Sequence, residues 1–269
     1  MAHKRDMYRK LPFQGGDPRQ VAEIVNNLVE GKSNNTGHIE LNTGWATETI
    51  LYDERIGFNS IILLEPVNDA AETSVLPYGE INSTTGQTAP STGSTAVVEF
   101  DNITQNNGIY QDGTNASRIY VRDAGIYNVA YSLQLINTTN DGQYADVWFR
   151  INGTDVADSA SRFGLPARKS SGDPSELIGA MNIFLTLQAD DYIEIAGGVS
   201  DVGVELWYDS ASTSPFTRPA IPSVILTLNM ISGGSYGNVY ISSQQKGQAT
   251  VTHFANNTAN KTYKYAIIG

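Results

Sequence analysis

The segment GIYNVAYSLQL, residues 125–135, alternates its side chains in a way that few structures can accommodate. Every second residue from Tyr127 to Leu135 is apolar, and the residues between them are small or polar. Successive side chains of a β-strand point to opposite faces, so this pattern predicts a strand with one buried face. A chain built from such segments is expected to form antiparallel sheets.

Seven further segments have strand patterns and are separated by polar turns: 96–100, 117–121, 145–153, 180–187, 191–198, 202–209 and 223–231. Apolar residues make up 40% of the chain and charged residues only 17%, which suits strands joined by polar turns better than a helical bundle. About eight strands in this order predict an antiparallel two-sheet sandwich or jelly roll.

Residues 17–31 have the pattern of a single helix. Asp17 is a good N-cap, Pro18 suits the first helical position, and Gly31 ends the pattern. The apolar residues recur at helical spacing, which predicts an amphipathic helix with one apolar stripe: Val21, Ile24, Val25 and Leu28. An isolated helix of this length is marginal in water, so the stripe must dock. Self-association and packing on the chain's own β domain are both open.

The N-terminal arm, residues 1–16, is basic on an otherwise acidic chain of net charge −11. We expect it to anchor the protein to a partner through four residues: Lys4, Arg5, Arg9 and Lys10. The overall acidity argues against nucleic acid as the main partner, because phosphate binding needs clustered Lys and Arg.

Three strand patterns precede a Gly/Ser/Thr-rich stretch: 38–41, 47–52 and 60–66. The run from Ile61 to Leu64 is apolar on both faces, which predicts a buried central strand. Three strands make a poor domain alone, so strand patterns in residues 238–268, above all the closing one, are expected to complete the sheet.

These patterns divide the chain into five parts: a basic arm (1–16), an amphipathic helix (17–31), a small split β domain (32–78 plus 236–269), a linker (79–95) and an inserted antiparallel jelly-roll sandwich (96–231). The predicted fold class is therefore mainly β, with one N-terminal helix. The polar stretches on both sides of the insert fit a domain whose ends lie close together.

Three segments resemble a family of tailed-bacteriophage virion structural proteins: DPRQVAEIVNNLVEGKSNNTG (17–37), TILYDERIGFNSIILLEPVNDAAE (49–72) and NVYISSQQKGQATVTHFANNTANKTYKYAIIG (238–269). Members of that family have a Pro-rich helix start, a GK-N-TG turn, an RIG-S-I-L-P strand and a TH-N…Y-Y-IG finish, in that order. The resemblance lies on both sides of the predicted insert and implies a fibre or appendage of the virion.

The predicted insert is similar to the jelly roll of tumour necrosis factor and of complement globular heads. The similarity lies in the order of four segments: GIYNVAYSLQL (125–135), VWFRINGTDVA (147–157), LTLQADDYIEI (185–195) and SVILTLNMI (223–231). That family prefers Gly-Asp in the late turn, where this chain has Asp190-Asp191. The resemblance implies a homotrimer with aromatic faces packed on the threefold axis, and a recognition head instead of an enzyme.

The candidate trimer-interface residues follow from that resemblance and from the helix stripe: Val21, Ile24, Leu28, Tyr127, Tyr131 and Trp148. An isologous dimer is the alternative, because it is the commonest soluble assembly.

The segment ELWYDSASTSPFTRP, residues 205–219, is the best candidate recognition surface. Its Trp207, Tyr208 and Phe216, with Arg218, lie beside a Ser/Thr-rich loop, a composition that suits sugar or protein surfaces. The competing interpretation is that Trp207 and Tyr208 lie on opposite faces of a strand, so that one of them belongs to the core.

Nothing in the sequence predicts an enzyme, a cofactor or a metal site. The chain has no cysteine and three histidines, and it lacks a nucleophile elbow, a phosphate loop and an HExxH helix. The carboxylate pairs that could serve a glycosidase lie in or near probable turns, where Asp is used for turn chemistry: Asp190/Asp191, Asp155/Asp158 and Glu205/Asp209. Calcium binding by the same Asp residues stays an alternative.

The sequence therefore predicts a non-enzymatic structural protein of a tailed-phage virion. We expect a homotrimeric tail fibre or knob, anchored to other virion proteins by its arm, with a jelly-roll head for attachment to a host glycan or protein. A capsid decoration or head–tail joining protein without a receptor role remains open, as does a polysaccharide-degrading tailspike. Without a secretory signal or an apolar span, we expect synthesis in the host cytoplasm and no membrane partner.

Overall fold

The computed structural model of the protein describes residues 16–29, 35–67, 76–232, 239–256 and 261–269. The prediction of a mainly β chain is confirmed: these residues form antiparallel sheets and one helix, α1 (Pro18–Val29). The side chain of Asp17 caps α1, because its Oδ1 accepts hydrogen bonds from the backbone N–H groups of Arg19 and Gln20 at 2.8 and 3.0 Å. No helix in the described part of the chain is long and apolar enough to cross a membrane.

The strands are numbered in chain order. Those of the first half are β1 (Thr36–Glu40), β2 (Ala46–Tyr52), β3 (Ile61–Pro66), β4 (Tyr78–Ser83), β5 (Gln87–Thr88), β6 (Ala96–Val97), β7 (Asn102–Asn107), β8 (Ile109–Gln111), β9 (Ile119–Val121) and β10 (Gly125–Asn137). Those of the second half are β11 (Gln143–Ile151), β12 (Thr154–Asp155), β13 (Ser161–Leu165), β14 (Ser175–Leu187), β15 (Tyr192–Val199), β16 (Val204–Leu206), β17 (Val224–Ser232), β18 (Tyr240–Gln245), β19 (Gln248–Asn256) and β20 (Thr262–Ile268).

The chain divides into two compact units. Unit 1 comprises residues 1–74 and 235–269, and unit 2 comprises residues 75–234. Unit 1 is discontinuous in sequence, as the patterns on both sides of the insert predict. Its boundary with unit 2 falls near residue 75 and not at 96.

Unit 1 is a sandwich of two three-stranded sheets. Sheet I has the order β1-β20-β3 and sheet II the order β18-β19-β2. The closing strand β20 therefore lies between two strands from the start of the chain, whereas β2 pairs with β19 in the other sheet. The core between the sheets is formed by buried side chains of both: Ile39, Leu41, Leu51, Ile56, Ala249, Val251, Tyr263, Tyr265 and Ile267.

A polar network lies at the edge of this core. Asp53 is buried and accepts hydrogen bonds from Arg55 and from the Tyr265 hydroxyl, the latter at 2.9 Å. Burial alone would raise the pKa of Asp53, but the hydrogen bonds from Arg55 and Tyr265 lower it to about 2. Arg55 also donates to the backbone oxygen of Thr36 at 3.3 Å, which ties the loop after β2 to β1.

The prediction that Ile61 to Leu64 form a buried central strand is wrong. In sheet I the strand β3 lies at the edge, and Ile61 and Leu63 are 59% and 55% exposed. Ile62 and Leu64 point the other way and pack against the core of unit 1. The outer face of this strand is therefore apolar without being buried by the described part of the chain.

The prediction of a linker over residues 79–95 is also wrong. This stretch contains most of β4 and all of β5, and Ile81 in β4 is fully buried. Strand β4 pairs with β17 on one side and β7 on the other, so it is an interior strand of unit 2. The strand pattern of β4 is hard to recognise in the sequence, because Ile81 is its one large aliphatic side chain among short polar residues.

Unit 2 consists of two seven-stranded antiparallel sheets. In sheet III, β14 pairs with β10 along its whole length, and the other edge of β10 is shared by β17 and β16. The sheet continues from β17 to β4 and β7, and from β16 to β5.

Sheet IV has β11 and β15 at its centre. Strands β13 and β12 pair with the outer edge of β11, while β9 and β6 pair with the other edge of β15, and β8 pairs with β9. The inner faces of sheets III and IV form one core, in which the rings of Tyr131 and Phe149 lie 5.3 Å apart. Buried aliphatic residues of both sheets complete it, among them Leu133, Val147, Ile195 and Leu226.

Candidate recognition surfaces

The predicted recognition segment, residues 205–219, runs from β16 into a closed loop. Two isolated β-bridges join the two sides of this loop. The Arg218 guanidinium forms an ion pair with Asp209, and its Nη1 donates hydrogen bonds to the backbone oxygens of Ser210 and Pro219 at 2.9 and 3.1 Å. Arg218 therefore holds the loop closed instead of offering its guanidinium to a ligand.

The three aromatic residues of this segment differ in accessibility. Trp207 and Tyr208 are both half-buried, and the backbone N–H of Trp207 donates to the oxygen of Gln134 at 2.8 Å. Neither ring is fully in the core, so the expectation that one of them is a core residue is wrong. Phe216 is 65% exposed at the end of the loop. The segment thus presents one largely exposed aromatic ring.

Two residues predicted at a trimer interface lie inside unit 2. Tyr127 is fully buried, and its hydroxyl donates to the backbone oxygen of Asp123 at 2.7 Å. Tyr131 is 3% exposed, and burial raises its pKa to about 12. Placing them at an interface is therefore wrong. The alternation shows which side chains share a face, but it does not show that this face meets sheet IV.

The remaining predicted interface residues include part of the helix stripe. On α1, Val21 is 39% exposed and Ile24 is half-buried, while the side chain of Leu28 lies outside the described residues. The four anchoring residues also lie outside them: Lys4, Arg5, Arg9 and Lys10. Their roles stay predictions.

Trp148, the sixth predicted interface residue, lies on the outer face of sheet IV. Its indole N–H donates to Asp155 Oδ1 at 2.7 Å, and Arg150 Nε donates to the same oxygen at 2.6 Å. The Arg150 guanidinium lies 6.0 Å from the centre of the indole ring. Trp148 is half-buried, so it is accessible from solvent but held in one position.

A row of three rings in contact crosses three neighbouring strands on the same face, the first pair stacked and the second tilted. Tyr110, Tyr120 and Tyr192 are partners in the β8–β9 and β9–β15 ladders, with ring centroids 5.0 and 5.2 Å apart. Arg122 covers one end, 3.8 Å from the Tyr110 ring, and Arg118 covers the other, 4.6 Å from the Tyr192 ring. These ring and cation–π contacts restrict the conformations of five long side chains, those of the two arginines and the three tyrosines.

A third group lies at the other side of the face. Arg162 on β13 lies 4.0 Å from the ring of Tyr144 on β11 and forms a bidentate pair with Asp146, with both N···O distances 2.7 Å. The outer face of sheet IV thus carries Arg118, Arg122, Arg150 and Arg162 with their aromatic partners, and we call it the arginine face.

Each arginine of the arginine face also pairs with a carboxylate. The N···O distances are 3.7 Å for Arg118–Glu194, 4.0 Å for Arg122–Asp190, 2.6 Å for Arg150–Asp155 and 2.7 Å for Arg162–Asp146. Hydrogen bonds from the arginines lower the pKa values of Asp155 and Asp146, so both carboxylates stay ionised at neutral pH.

The sequence-based reasoning missed this face, although one signal was present. In β11 the side chains of Tyr144, Asp146, Trp148 and Arg150 alternate with buried Ala145, Val147 and Phe149. Aromatic and charged residues on the solvent side of a strand are the composition of binding surfaces. The partners on β8, β9, β13 and β15 come from distant parts of the chain, so only the strand pairing unites them.

Parts of the outer faces of sheets I and III are apolar by contrast: the strands β10 and β14 of sheet III, and the ends of β3 and β20 in sheet I. On β14 of sheet III, Ile178 and Phe184 are 62% and 64% exposed, and Glu176 is the one charged residue among the outward side chains of β10 and β14. On sheet I, Ile268 lies beside Ile61 and is 50% exposed. Exposed apolar faces of this kind mark association surfaces.

The carboxylate pairs considered for glycoside hydrolysis serve the local structure. Asp190 adopts the left-handed conformation with φ of 63°, which is uncommon for residues other than glycine. Asp191 accepts hydrogen bonds from the backbone N–H of Gln188 and the side chain of Asn152, both at 2.7 Å. Together with the ion pair of Asp209, these contacts are turn and loop chemistry.

The two histidines within the described residues lie on different sheets. His253 on β19 is buried; its Nε2 is 2.9 Å from Thr49 Oγ1, and its Nδ1 is 2.8 Å from the backbone oxygen of Phe254. Burial lowers the pKa of His253. His38 lies on β1 of sheet I. The contacts of His253 are those of a structural histidine.

The space between sheets III and IV offers little room for a ligand, whereas an open pocket of about 480 Å³ lies at the surface of unit 2, where its lining includes Gln87, Glu99 and Asp101. A cavity of about 90 Å³ lies between sheets III and IV, lined by Leu133, Leu135, Ala145 and Val147 among others. Small-molecule sites are several times larger. Across the ranges that the structure describes, no group of three or more His, Asp or Glu side chains is arranged to hold a metal ion.

No protein-family model matches the chain, and a search of curated proteins returns no similar sequence. The fold and the surfaces described above therefore carry the functional argument.

Proposed function

We propose that the protein is a non-enzymatic structural component of a tailed-phage virion. It forms a trimeric fibre or knob, anchored by its N-terminal arm, and unit 2 is a jelly-roll head that faces outward for host attachment. The observation that carries this proposal is the strand order of unit 2. One sheet contains the sequence β4-β17-β10-β14 and the other the sequence β9-β15-β11-β13. Two four-stranded sheets with crossing connections are the plan of a jelly roll.

Unit 1 supports the virion part of the proposal. The segments that resemble a phage structural family, 49–72 and 238–269, contribute most of sheets I and II. They come together in one compact unit although more than 150 residues separate them in sequence. A unit that keeps its own core beside a large insert suits an attachment base that carries a variable head.

Two apolar faces support a trimer. The outer face of sheet III, with Ile178 and Phe184, replaces Tyr127 and Tyr131 as the aromatic and aliphatic surface buried between copies. Strand β14 is 13 residues long and, within the described residues, forms a ladder with β10 on one edge and no ladder on the other, which suits pairing with a neighbouring copy. Burying each of these large side chains contributes on the order of 1.5–3 kcal/mol.

The test of the proposal is incorporation into particles. We expect a variant that lacks residues 1–31 to fold and to form the same oligomer, but to be absent from particles purified from cells infected with a phage that carries the deletion. A charge-reversal variant keeps the chain length and changes only the four arm residues: Lys4→Glu, Arg5→Glu, Arg9→Glu and Lys10→Glu. Acidic virion surfaces attract a basic arm, so this variant should also be lost from particles. Normal incorporation of both variants would contradict the proposal.

A further inference from the structure

The arginine face repeats one arrangement four times. Each of its arginines lies over or beside an aromatic ring and within 4.0 Å of a carboxylate. All the cation–π pairs found in the described part of unit 2 lie on this single face. Cross-strand pairs stabilise any exposed sheet, but stability alone does not explain why the arginines of unit 2 gather here.

The charge of the face differs from the charge of the unit that carries it. Residues 75–234 contain seven Lys and Arg and 17 Asp and Glu, a net charge of −10. Four of those seven basic residues belong to the arginine face, where four paired carboxylates neutralise them. The four pairs thus form a neutral set of hydrogen-bonding groups on an acidic body.

We propose that the arginine face binds an uncharged polysaccharide. An anionic polymer would be repelled by the acidic body, and a cationic one would find no net negative charge on the face itself. The binding of an uncharged sugar does not depend on an electrostatic field. The guanidinium and carboxylate groups at Arg162–Asp146 and Arg150–Asp155 offer planar donors and acceptors to neighbouring hydroxyls, and Tyr144 and Trp148 offer apolar surface to the C–H face of a sugar ring.

The cation–π and ion-pair contacts of the arginine face also orient its side chains before a ligand binds. Long side chains lose rotamer freedom when a ligand immobilises them, which costs about 0.5–1.5 kcal/mol each. On the arginine face this freedom is already restricted by the stack that runs from Arg122 through Tyr110, Tyr120 and Tyr192 to Arg118. A weakly binding sugar therefore meets groups that are already oriented.

A protein partner is the competing occupant, and the distribution of apolar side chains argues against it. Protein interfaces are centred on a few anchors, often Trp, Tyr or Arg, that project into pockets of the partner. On the arginine face the arginines are instead held against aromatic rings of the same chain. Among the large apolar side chains that are substantially exposed, Tyr144 is the one on the arginine face, at 39%, whereas Ile178 and Phe184 lie on sheet III. The surface suited to another protein chain is therefore sheet III, and the arginine face is left for a sugar.

This inference rests on the proposed role in host attachment, and its test uses the intact protein. The probes are immobilised uncharged and anionic bacterial polysaccharides, together with polysaccharide purified from the surface of the host cell. We expect binding to uncharged chains that changes little between about 0.05 and 0.5 M NaCl, because no counterions are released. A Tyr144→Ala, Arg162→Ala double variant should lose at least about tenfold in affinity.

Two further variants keep the test falsifiable. Gln105→Ala, exposed on the edge strand β7 and away from both the arginine face and the outer face of β14, is the matched control and should bind like the wild type. Trp148→Phe keeps an aromatic ring but removes the donor to Asp155, and it should weaken binding while the melting temperature of unit 2 stays near that of wild type. Loss of binding with an unchanged fold identifies a ligand contact instead of a structural one.

Three outcomes would overturn the inference: binding only to anionic chains and only at low salt, binding to host protein but to no polysaccharide, or equal binding by the Tyr144→Ala, Arg162→Ala variant. Failure of the virion proposal would look different. If the protein bound polysaccharide through the arginine face but were absent from particles, only the virion proposal would be contradicted.

Discussion

Tyr265 lies across Gly37, its partner in the β1–β20 ladder, so closely that a Cβ atom on Gly37 would be 2.4 Å from the tyrosine ring. Only glycine leaves room for the ring at this position. The hydroxyl of the same ring donates to Asp53 at 2.9 Å, which connects the glycine to the polar network of unit 1. The two residues therefore fix how the closing strand packs on the rest of unit 1.

Replacing Gly37 by alanine should destabilise unit 1. The methyl group forces the Tyr265 ring away from Asp53, and overpacking of this kind costs about 1–3 kcal/mol. The measurement is chemical denaturation followed by a probe in unit 1. Gly164→Ala on β13 is the control, because a Cβ there meets nothing within 4 Å. A Gly37→Ala variant as stable as the control would show that the close approach of the ring carries no constraint.

The stability of unit 1 should decrease as the pH falls through the histidine range. Burial lowers the pKa of His253 below its usual value of 6.5, so the unfolded chain binds the proton more readily than the folded one. The stabilisation is complete above pH 6.5 and is lost progressively below it. We expect the melting temperature of unit 1 to fall between about pH 7.5 and 5.

The control for this pH effect is the replacement of His253 itself. A His253→Gln variant should have a flatter profile over this range, because the buried group that takes up the proton on unfolding is gone. If His253→Gln retained the full pH dependence of the wild type, the assignment to the buried histidine would be wrong.

Replacing Tyr131 by aspartate should unfold unit 2 whether or not copies associate. Tyr131 packs between Phe149 and Phe163, with ring centroids 5.3 and 6.5 Å away. An unpaired carboxylate buried there costs about 3–5 kcal/mol. Circular dichroism and hydrogen exchange at concentrations that dissociate the oligomer measure this loss. Gln105→Asp, exposed on the edge strand β7 of the same sheet, is the matched control. A folded monomer with Tyr131→Asp would instead restore an interface role for this residue.

Residues 75–234 should fold without the rest of the chain, whereas residues 96–231 should not. The shorter fragment lacks β4, which lies between β17 and β7 and buries Ile81. Its removal leaves one edge of β17 and the paired edge of β7 without a partner. Thermal unfolding of both fragments tests this prediction: we expect a cooperative transition for residues 75–234 and none for residues 96–231. Equal stability of the two fragments would mean that β4 is dispensable, as the sequence-based boundary implies.

The sequence predicted the regular elements well because their patterns are local. The segment predicted at 125–135 is β10, residues 125–137, and α1 begins at Pro18 as its cap signals indicate. Strand β4 was missed because its core contribution comes from a single large aliphatic residue, Ile81, among glycine and polar residues. Pairing with β17 and β7, and not intrinsic preference, makes that segment a strand.

The candidate site was harder to predict because it depends on which strands are neighbours. Tyr110, Tyr120 and Tyr192 come from three segments and form a stack only through the β8–β9 and β9–β15 ladders. Likewise, the alternation around Tyr131 was recognised, but the direction in which it points is set by the sheet opposite. Local patterns give the faces of a strand, and the topology decides what each face meets.

The central claim, that the protein is a structural part of a phage particle, is tested most directly by quantitative mass spectrometry of purified particles. Particles would be banded twice on a density gradient and washed in high salt to remove loosely bound protein. We expect the protein to remain in the particle band with a copy number that is a multiple of three. Its complete absence from that band, with abundant protein in the lysate of the infected cells, would contradict the account.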